Sequence, residues 1–300
     1  MHFSQTFFTE VIRREANVLL SRPKHKCLYL QLNFFKSKKA LALPATFLII
    51  FVSTLGLISV TYYFAVEKVN ARSQTLKIST AKQDFLAIDE GVLAVVWQPG
   101  STRALEMSDS GGKLCVEPTS SELSIRISDG SDINQTVFNK AVGQVTYQLP
   151  YSESPETGLY LKGDSRAVAN QSGSLISQVS IQNGAEHPEL LLRYRPVVTH
   201  VLLGIEGGRP VNSIRVYVVN MNSSETIALY GRVPLKISCC STRITTTTYT
   251  VSYSVASLTI TSFLEESSGQ VAIPISSTEV GAVINVDIVE ADIKIERCLR

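Results

Sequence analysis

Few side chains in this sequence are of a type and spacing that could do chemistry. Gly163-Asp164-Ser165 sets a hydroxyl beside a carboxylate, and a serine nucleophile needs an adjacent base, for which His187 and His200 are the candidates. The block lies between strand-like stretches. No strand-to-helix elbow frames it, and no acid-x-x-His segment follows near the C-terminus. Asp129, Ser131, Asp132 and Asn134 offer oxygen ligands but lack the spacing and the distal Glu of a calcium loop, so a polar hairpin turn is expected there. No P-loop or GxGxxG occurs, and no second Cys or His sits at zinc-ligand spacing. The sequence therefore predicts no enzyme, no cofactor and no metal site.

The five cysteines are Cys27, Cys115, Cys239, Cys240 and Cys298. In an oxidising compartment the last four allow three pairings, of which a bond between the neighbours Cys239 and Cys240 is strained. Two cross-linked patterns remain. Consecutive strand residues point to opposite faces, so Cys239 and Cys240 do not both serve one layer. The alternative is that all four are small apolar residues of a core. Asn134-Gln135-Thr136, Asn170-Gln171-Ser172 and Asn222-Ser223-Ser224 match the N-glycosylation acceptor, which is used only on exposed loops. The threonines from Thr245 to Thr248 suit O-glycans or, more simply, a β-strand.

These groups are positioned by a chain whose first feature is apolar. From Ala40 to Val66 no residue is charged, and as a helix this run extends about 40 Å, enough to cross a hydrocarbon core of about 30 Å. Pro44 falls in its first turns, where a missing N–H costs least, and Tyr62 and Tyr63 lie at its far end, where an aromatic belt is expected. The run is too long for a signal peptide and ends in Tyr-Tyr-Phe rather than at a small-x-small site. A transmembrane helix over 40–66 is predicted, with the lipid bilayer as its partner.

Charge sets the orientation. Residues 1–39 carry eight Lys and Arg against two Glu, and the remainder carries 20 basic against 24 acidic residues. By the positive-inside rule Lys36, Lys38 and Lys39 hold the N-terminal leader in the cytoplasm and place residues 93–300 outside the cell membrane. Because the basic excess is confined to the leader, nucleic acid is not an expected partner. Within residues 1–35, Phe7, Phe8, Val11, Ile12, Val18, Leu19 and Leu20 interspersed with Arg13 and Arg14 fit either an amphipathic helix on the inner leaflet or an unstructured leader.

Beyond the span the apolar residues become periodic. Ile78, Ala81, Phe85, Ile88 and Val92 form one stripe, with Lys77, Lys82, Asp84 and Asp89 between them; this predicts an amphipathic continuation over 67–92, ended by Gly91 and the Trp97-Pro99-Gly100 stretch. The stripe packs on the chain's own β domain or pairs helices of neighbouring copies.

After Gly100 period-two patterns recur. Leu123, Ile125 and Ile127 precede an Asp129-Gly130 turn, and Val145, Tyr147 and Leu149 alternate with polar residues. Further strands are expected at Leu175 to Gln182, Leu190 to Tyr194, Ile214 to Asn220, Leu235 to Ser238, Thr245 to Ile260, Gln270 to Ile275 and Val283 to Ile295. The fold class is therefore mainly β: a long N-terminal helix, transmembrane then amphipathic, followed by an antiparallel β-sandwich of one or two lobes. The Gly204, Gly207, Gly208, Pro210 cluster marks either a lobe boundary near residues 200–210 or a hairpin loop.

The order of elements over residues 36–92, with a basic leader, Lys38-Lys39-Ala40, an immediately following apolar helix and its amphipathic continuation, resembles archaeal type IV pilin-like precursors. That resemblance covers the N-terminal third and implies peptidase cleavage after Ala40, before Leu41. The remainder resembles archaeal single-pass membrane proteins with the same helix and β domain, which implies an architecture and no activity. The expected role is a structural or adhesive cell-surface subunit able to self-associate through the N-terminal helix. The alternative is a monomeric anchored binding or sensory module, and an anchored hydrolase is more distant.

Overall fold

The computed structural model describes residues 42–150, 157–170, 176–184, 187–265 and 267–298. The leader, Cys27 and the Ala40–Leu41 processing position lie outside the described residues. The chain divides into two compact units, Met1–Ala65 and Val66–Arg300.

Helix α1 runs over Ala42–Val95 and, among the described residues, is the one helix long and apolar enough to cross a membrane. Its hydroxyls are satisfied within the helix: Thr54 donates to the Ile50 carbonyl at 2.7 Å, Ser59 to Leu55 at 2.8 Å and Thr61 to Leu57 at 2.8 Å. That back-bonding lets polar side chains sit on an apolar helix without an unmet donor. The large apolar side chains from Phe47 to Leu76 are exposed, whereas Ala81, Phe85, Ile88 and Val92 are fully buried. The predicted stripe thus packs on the chain's own strands, each large side chain contributing about 1.5–3 kcal/mol by burial.

Gly91 does not end the helix. A Cβ there would come within 2.9 Å of Ile237 Cδ1 and 3.1 Å of Leu105 Cδ2, so the glycine lets the helix approach the sheet closely. Termination comes four residues later. Gly100, at φ +82°, donates its N–H to the Cys239 carbonyl at 2.8 Å, and the Ser101 hydroxyl donates to the Val95 carbonyl at 3.1 Å. Together these occupy the end of the helix and join it to the first sheet.

Sheet 1 has the order β1 (Thr102–Met107), β11 (Val233–Val251), β14 (Ala282–Arg297), β9 (Arg209–Asn220), β8 (Val197–Glu206), β5 (Ala169–Asn170). Sheet 2 has the order β13 (Ser267–Pro274), β12 (Ser257–Leu264), β2 (Lys113–Ser128), β3 (Asn134–Gln148), β7 (Pro188–Tyr194), β6 (Ser177–Asn183), β4 (Tyr160–Lys162), with β10 (Ile227–Tyr230) paired to β2. The result is mainly β and sandwich-like behind one long helix, as the alternating patterns predict.

Three details depart from the pattern. The pairs β9/β14 and β5/β8 are parallel, because β14 inserts beside β9 after a long connection rather than a hairpin. The stretch Thr245 to Ile260 is not one strand: its first part joins Leu235 to Ser238 in β11, and β12 begins anew at Ser257. Residues 200–210 form the β8–β9 hairpin, turning on Gly207 at φ +57° and Gly208 at φ +80°, which suits a two-residue turn.

Two apolar clusters fill the sandwich. One joins the α1 stripe to Leu114, Val116 and Tyr147 of sheet 2 and to Leu235, Ile237 and Ile293 of sheet 1. The other joins Ile125, Ile127, Leu258 and Ile260 to Val216, Ile284 and Val286. Lys140 of β3 and Glu290 of β14 form an ion pair across the layers, with Asn220 Nδ2 3.3 Å from Glu290 Oε1.

Candidate functional site

Polar chemistry in the outer unit stands out at three places, two of which the sequence marks as motifs. The first is where α1 enters. Asp89 follows the stripe residue Ile88 and was expected on the polar face, yet it is fully buried. Its carboxylate pairs with Lys162 Nζ of β4 and accepts a hydrogen bond from the Tyr194 hydroxyl at 3.0 Å. Burial, reinforced by the Asp89 charge, pushes the Tyr194 phenol well above its ordinary pKa. One turn earlier, Asp84 Oδ2 accepts the Ser108 N–H at 2.7 Å. These contacts fix the helix in rotation and depth against the strands.

The second place is the Gly163-Asp164-Ser165 block, between β4 and β5. Gly163 has φ +77°, and a Cβ there would lie 2.4 Å from the Ser177 carbonyl oxygen, so the turn requires glycine. Asp164 is committed to structure. Arg166 Nε and Nη2 reach its two carboxylate oxygens at 3.0 and 2.7 Å, and the fully buried Arg195 grips it from below. Arg195 Nη1 also donates to the Arg166 carbonyl at 3.0 Å, while Gln178 Nε2 donates to the Asp164 carbonyl at 2.6 Å. The guanidiniums of Arg166 and then Arg195 hold the Asp164 carboxyl far below the usual carboxylate range.

Beside this loop a polar cleft of about 550 Å³ opens between β5 and β13, lined by Ser165, Arg166, Asn170, Ser268 and Gln270 among others. His200 is turned to Asn212, with Nε2 3.2 Å from Asn212 Oδ1, and His187 is exposed at the turn before β7. Neither histidine lines the cleft.

The Asp129 hairpin is the third. Asp129 Oδ1 accepts the N–H groups of Ser131 at 2.8 Å and Ile133 at 3.0 Å, and Oδ2 accepts the Tyr253 hydroxyl. Desolvation raises the Asp129 pKa, but these donors outweigh it and the net displacement is downward. The Asp129 carboxylate in turn pushes Tyr253 up to about 12. The oxygens therefore organise a turn, and among the described residues no group of His, Cys, Asp and Glu is placed to hold a metal.

The four cysteines beyond the helix carry free thiols. Cys239 is buried, its Sγ 3.3 Å from the Val96 carbonyl, and Cys240 is the exposed extra residue of a bulge between Cys239 and Ser241. Burial raises the Cys239 and Cys115 thiols above their ordinary values. The Cys298 N–H donates to the Pro234 carbonyl, five positions along β11 from Cys239. At about 3.4 Å per residue that separation far exceeds the Cα spacing a disulfide spans. Cys115 lies in sheet 2 beside the inward-facing Leu114 and Val116.

Of the sequon residues, Asn134 and Asn222 are exposed and Asn170 is half-buried in β5. Ser224, the hydroxyl of the third sequon, is buried, and its Oγ accepts the Ile295 N–H at 3.0 Å. The threonine run lies within β11, where Thr246 donates to Asp287 Oδ1 at 2.7 Å and Thr248 to Asn285 Oδ1 at 2.8 Å. These are cross-strand pairs.

One feature had no motif at all. From Thr199 to Glu206 the outer edge of β8 is unpaired among the described residues, because β5 covers only Val197 and Val198. No family model, no curated protein and no solved structure matches this chain.

Proposed function

We propose that this chain is a non-enzymatic, single-pass membrane-anchored cell-surface protein with a structural or adhesive role. The observation that carries the reading is the change of surface along one helix: every large apolar side chain from Phe47 to Leu76 is exposed, and the stripe beyond it is buried against strands. Water does not tolerate an apolar exposed helix of that length, and lipid does. The basic leader supports a cytoplasmic N-terminus. Alkaline carbonate extraction tests the anchor, since an integral protein stays with the membrane pellet. Protease protection in sealed vesicles tests the orientation, and a protected β domain would reverse it.

Pilin-like assembly is a narrower version of the same role. It predicts a mature terminus at Leu41, and N-terminal sequencing that begins at Met1 would exclude it. A second reading, an anchored binding module, is favoured by the polar cleft at Ser165, Asn170, Ser268 and Gln270. Soaking the protein with a library of neutral sugars and small anions, read by chemical-shift change at those residues, tests it; no shift there would rule it out.

A further inference from the structure

The cleft beside the Gly163-Asp164-Ser165 block has one wall made by a single strand. Ser268, Gly269, Gln270, Val271 and Ala272 all line it, and they are consecutive residues of β13. Successive side chains of a strand point to opposite faces, so five in a row cannot line one space through side chains of a single face. What these residues share is the edge of the strand. The wall is therefore backbone.

Strand β13 pairs antiparallel with β12 from Ser267 to Pro274. In such a pair the N–H and C=O groups of alternate residues point at the partner strand, and those of the residues between point the other way. Beside β13 that other side is a space of about 550 Å³, within the range of about 300–1,000 Å³ that ligand pockets occupy. The side chains leave the backbone accessible. Gly269 has none, Ser268 and Ala272 are small and exposed, and no charged residue stands between Ser267 and Pro274.

Gly269 also brings the two walls together. A Cβ there would lie 3.2 Å from Ala167 N and 3.3 Å from Ala167 Cβ, so glycine lets the loop that carries Ser165, Arg166 and Val168 rest against the strand. This second wall narrows the class of ligand. Among the described residues it offers no aromatic face for a sugar ring. Its cation, Arg166, directs Nε and Nη2 at the two oxygens of Asp164, so an incoming anion competes with a carboxylate already in place. Sugars and small anions therefore find only weak hold.

We propose that the cleft takes an extended peptide segment of another protein, added as a further strand to the edge of β13 turned away from β12. The proposal rests on the reading of the chain as an anchored binding module and names the class of its ligand. In strand addition the main-chain hydrogen bonds supply affinity and the pockets for alternate side chains supply selectivity. Here Ser165, Val168 and Asn170 form the wall that those side chains meet.

The test titrates the isotope-labelled full chain in detergent with a pool of capped pentapeptides of mixed sequence, with the same pool N-methylated throughout, and with neutral sugars and small anions. Strand addition shifts the amides of alternate residues between Ser268 and Ala272. At a peptide concentration about ten times the Kd it slows their hydrogen exchange about tenfold. The N-methylated pool does neither, because it has no donors along its edges. Equal responses to the two pools, or protection of consecutive rather than alternate amides, would overturn the proposal. Shifts with sugars or anions and none on the β13 backbone with peptides keep the binding module and remove the peptide. Silence from every ligand removes both.

Discussion

Asp89 of α1 and Lys162 of β4 stand 73 positions apart in the sequence and form an ion pair inside the sandwich, with the Tyr194 hydroxyl as the second donor to the same carboxylate. The helix is thereby keyed to sheet 2 by charge as well as by its apolar stripe. Lys162 keeps 22 % of its side chain exposed, so losing Asp89 lets the ammonium reach water while the Tyr194 hydroxyl stays buried.

Asp89→Ala is expected to destabilise the chain by about 3 kcal/mol, the low end for breaking a buried pair, and Tyr194→Phe by about 1 kcal/mol. Urea unfolding of the full chain in detergent measures both. Equal losses would mean that the ion pair contributes nothing beyond the tyrosine bond.

Gly91 separates helix propensity from packing. Gly91→Ala gains up to about 1 kcal/mol of propensity and meets only the movable ends of Ile237 and Leu105, so it stays within about 1 kcal/mol of wild type. Gly91→Leu overpacks the same contact and costs about 1–3 kcal/mol. Thermal melts of the two variants should therefore diverge.

Phe85 is fully buried in the cluster that joins helix and sheets. Phe85→Ala is expected to cost about 3–5 kcal/mol. A melt unchanged within about 1 kcal/mol would show that α1 is not integral to the folded unit.

Acid sensitivity follows from Asp164. Its pKa is lowered in the folded chain, chiefly by Arg166 and then Arg195, so its contribution is present above the unfolded value of about 4 and is lost as pH falls below it. Melting temperature should drop through that range, and Asp164→Asn should flatten the slope. Asp129 and Glu296 are displaced the same way, so some slope persists in the variant.

The alkaline limb has the opposite sign. Tyr253 is raised to about 12 by Asp129, so its contribution is complete below the ordinary tyrosine value of about 10 and is lost as pH climbs toward 12. Tyrosinate absorbance should show a late-titrating phenol that disappears in Tyr253→Phe.

Much of the framework was legible because it is local. The spacing of Ile78, Ala81, Phe85, Ile88 and Val92 identifies the buried face, and the alternation at Leu123, Ile125 and Ile127 identifies a strand, since each periodicity reports one element's own geometry. Asp89 was misplaced on the polar face because its partners lie on β4 and β7, and a helix pattern carries no record of a distant lysine. Gly91 read as a stop because propensity was weighed without the approach of Ile237. The parallel pairing of β9 with β14 depends on which strands become neighbours, and alternation is silent on that. The β8 edge read only as a glycine-rich break, since exposure of Val201 and Ile205 follows from which strands become neighbours rather than from their own identity.

Strand β14 occupies the middle of sheet 1, between β11 and β9. Those two strands share no hydrogen bonds without it, so residues 209–251 of sheet 1 must wait for residues 282–297 before either flank has a partner across the centre. In a chain made from its N-terminus, sheet 2 can pair β2 with β3 early, whereas sheet 1 closes only as the final strand is delivered. Folding of the outer unit is then a late event in synthesis, timed by its last strand, and ribosomes stalled before residue 282 should hold a chain whose β11 and β9 remain open to protease.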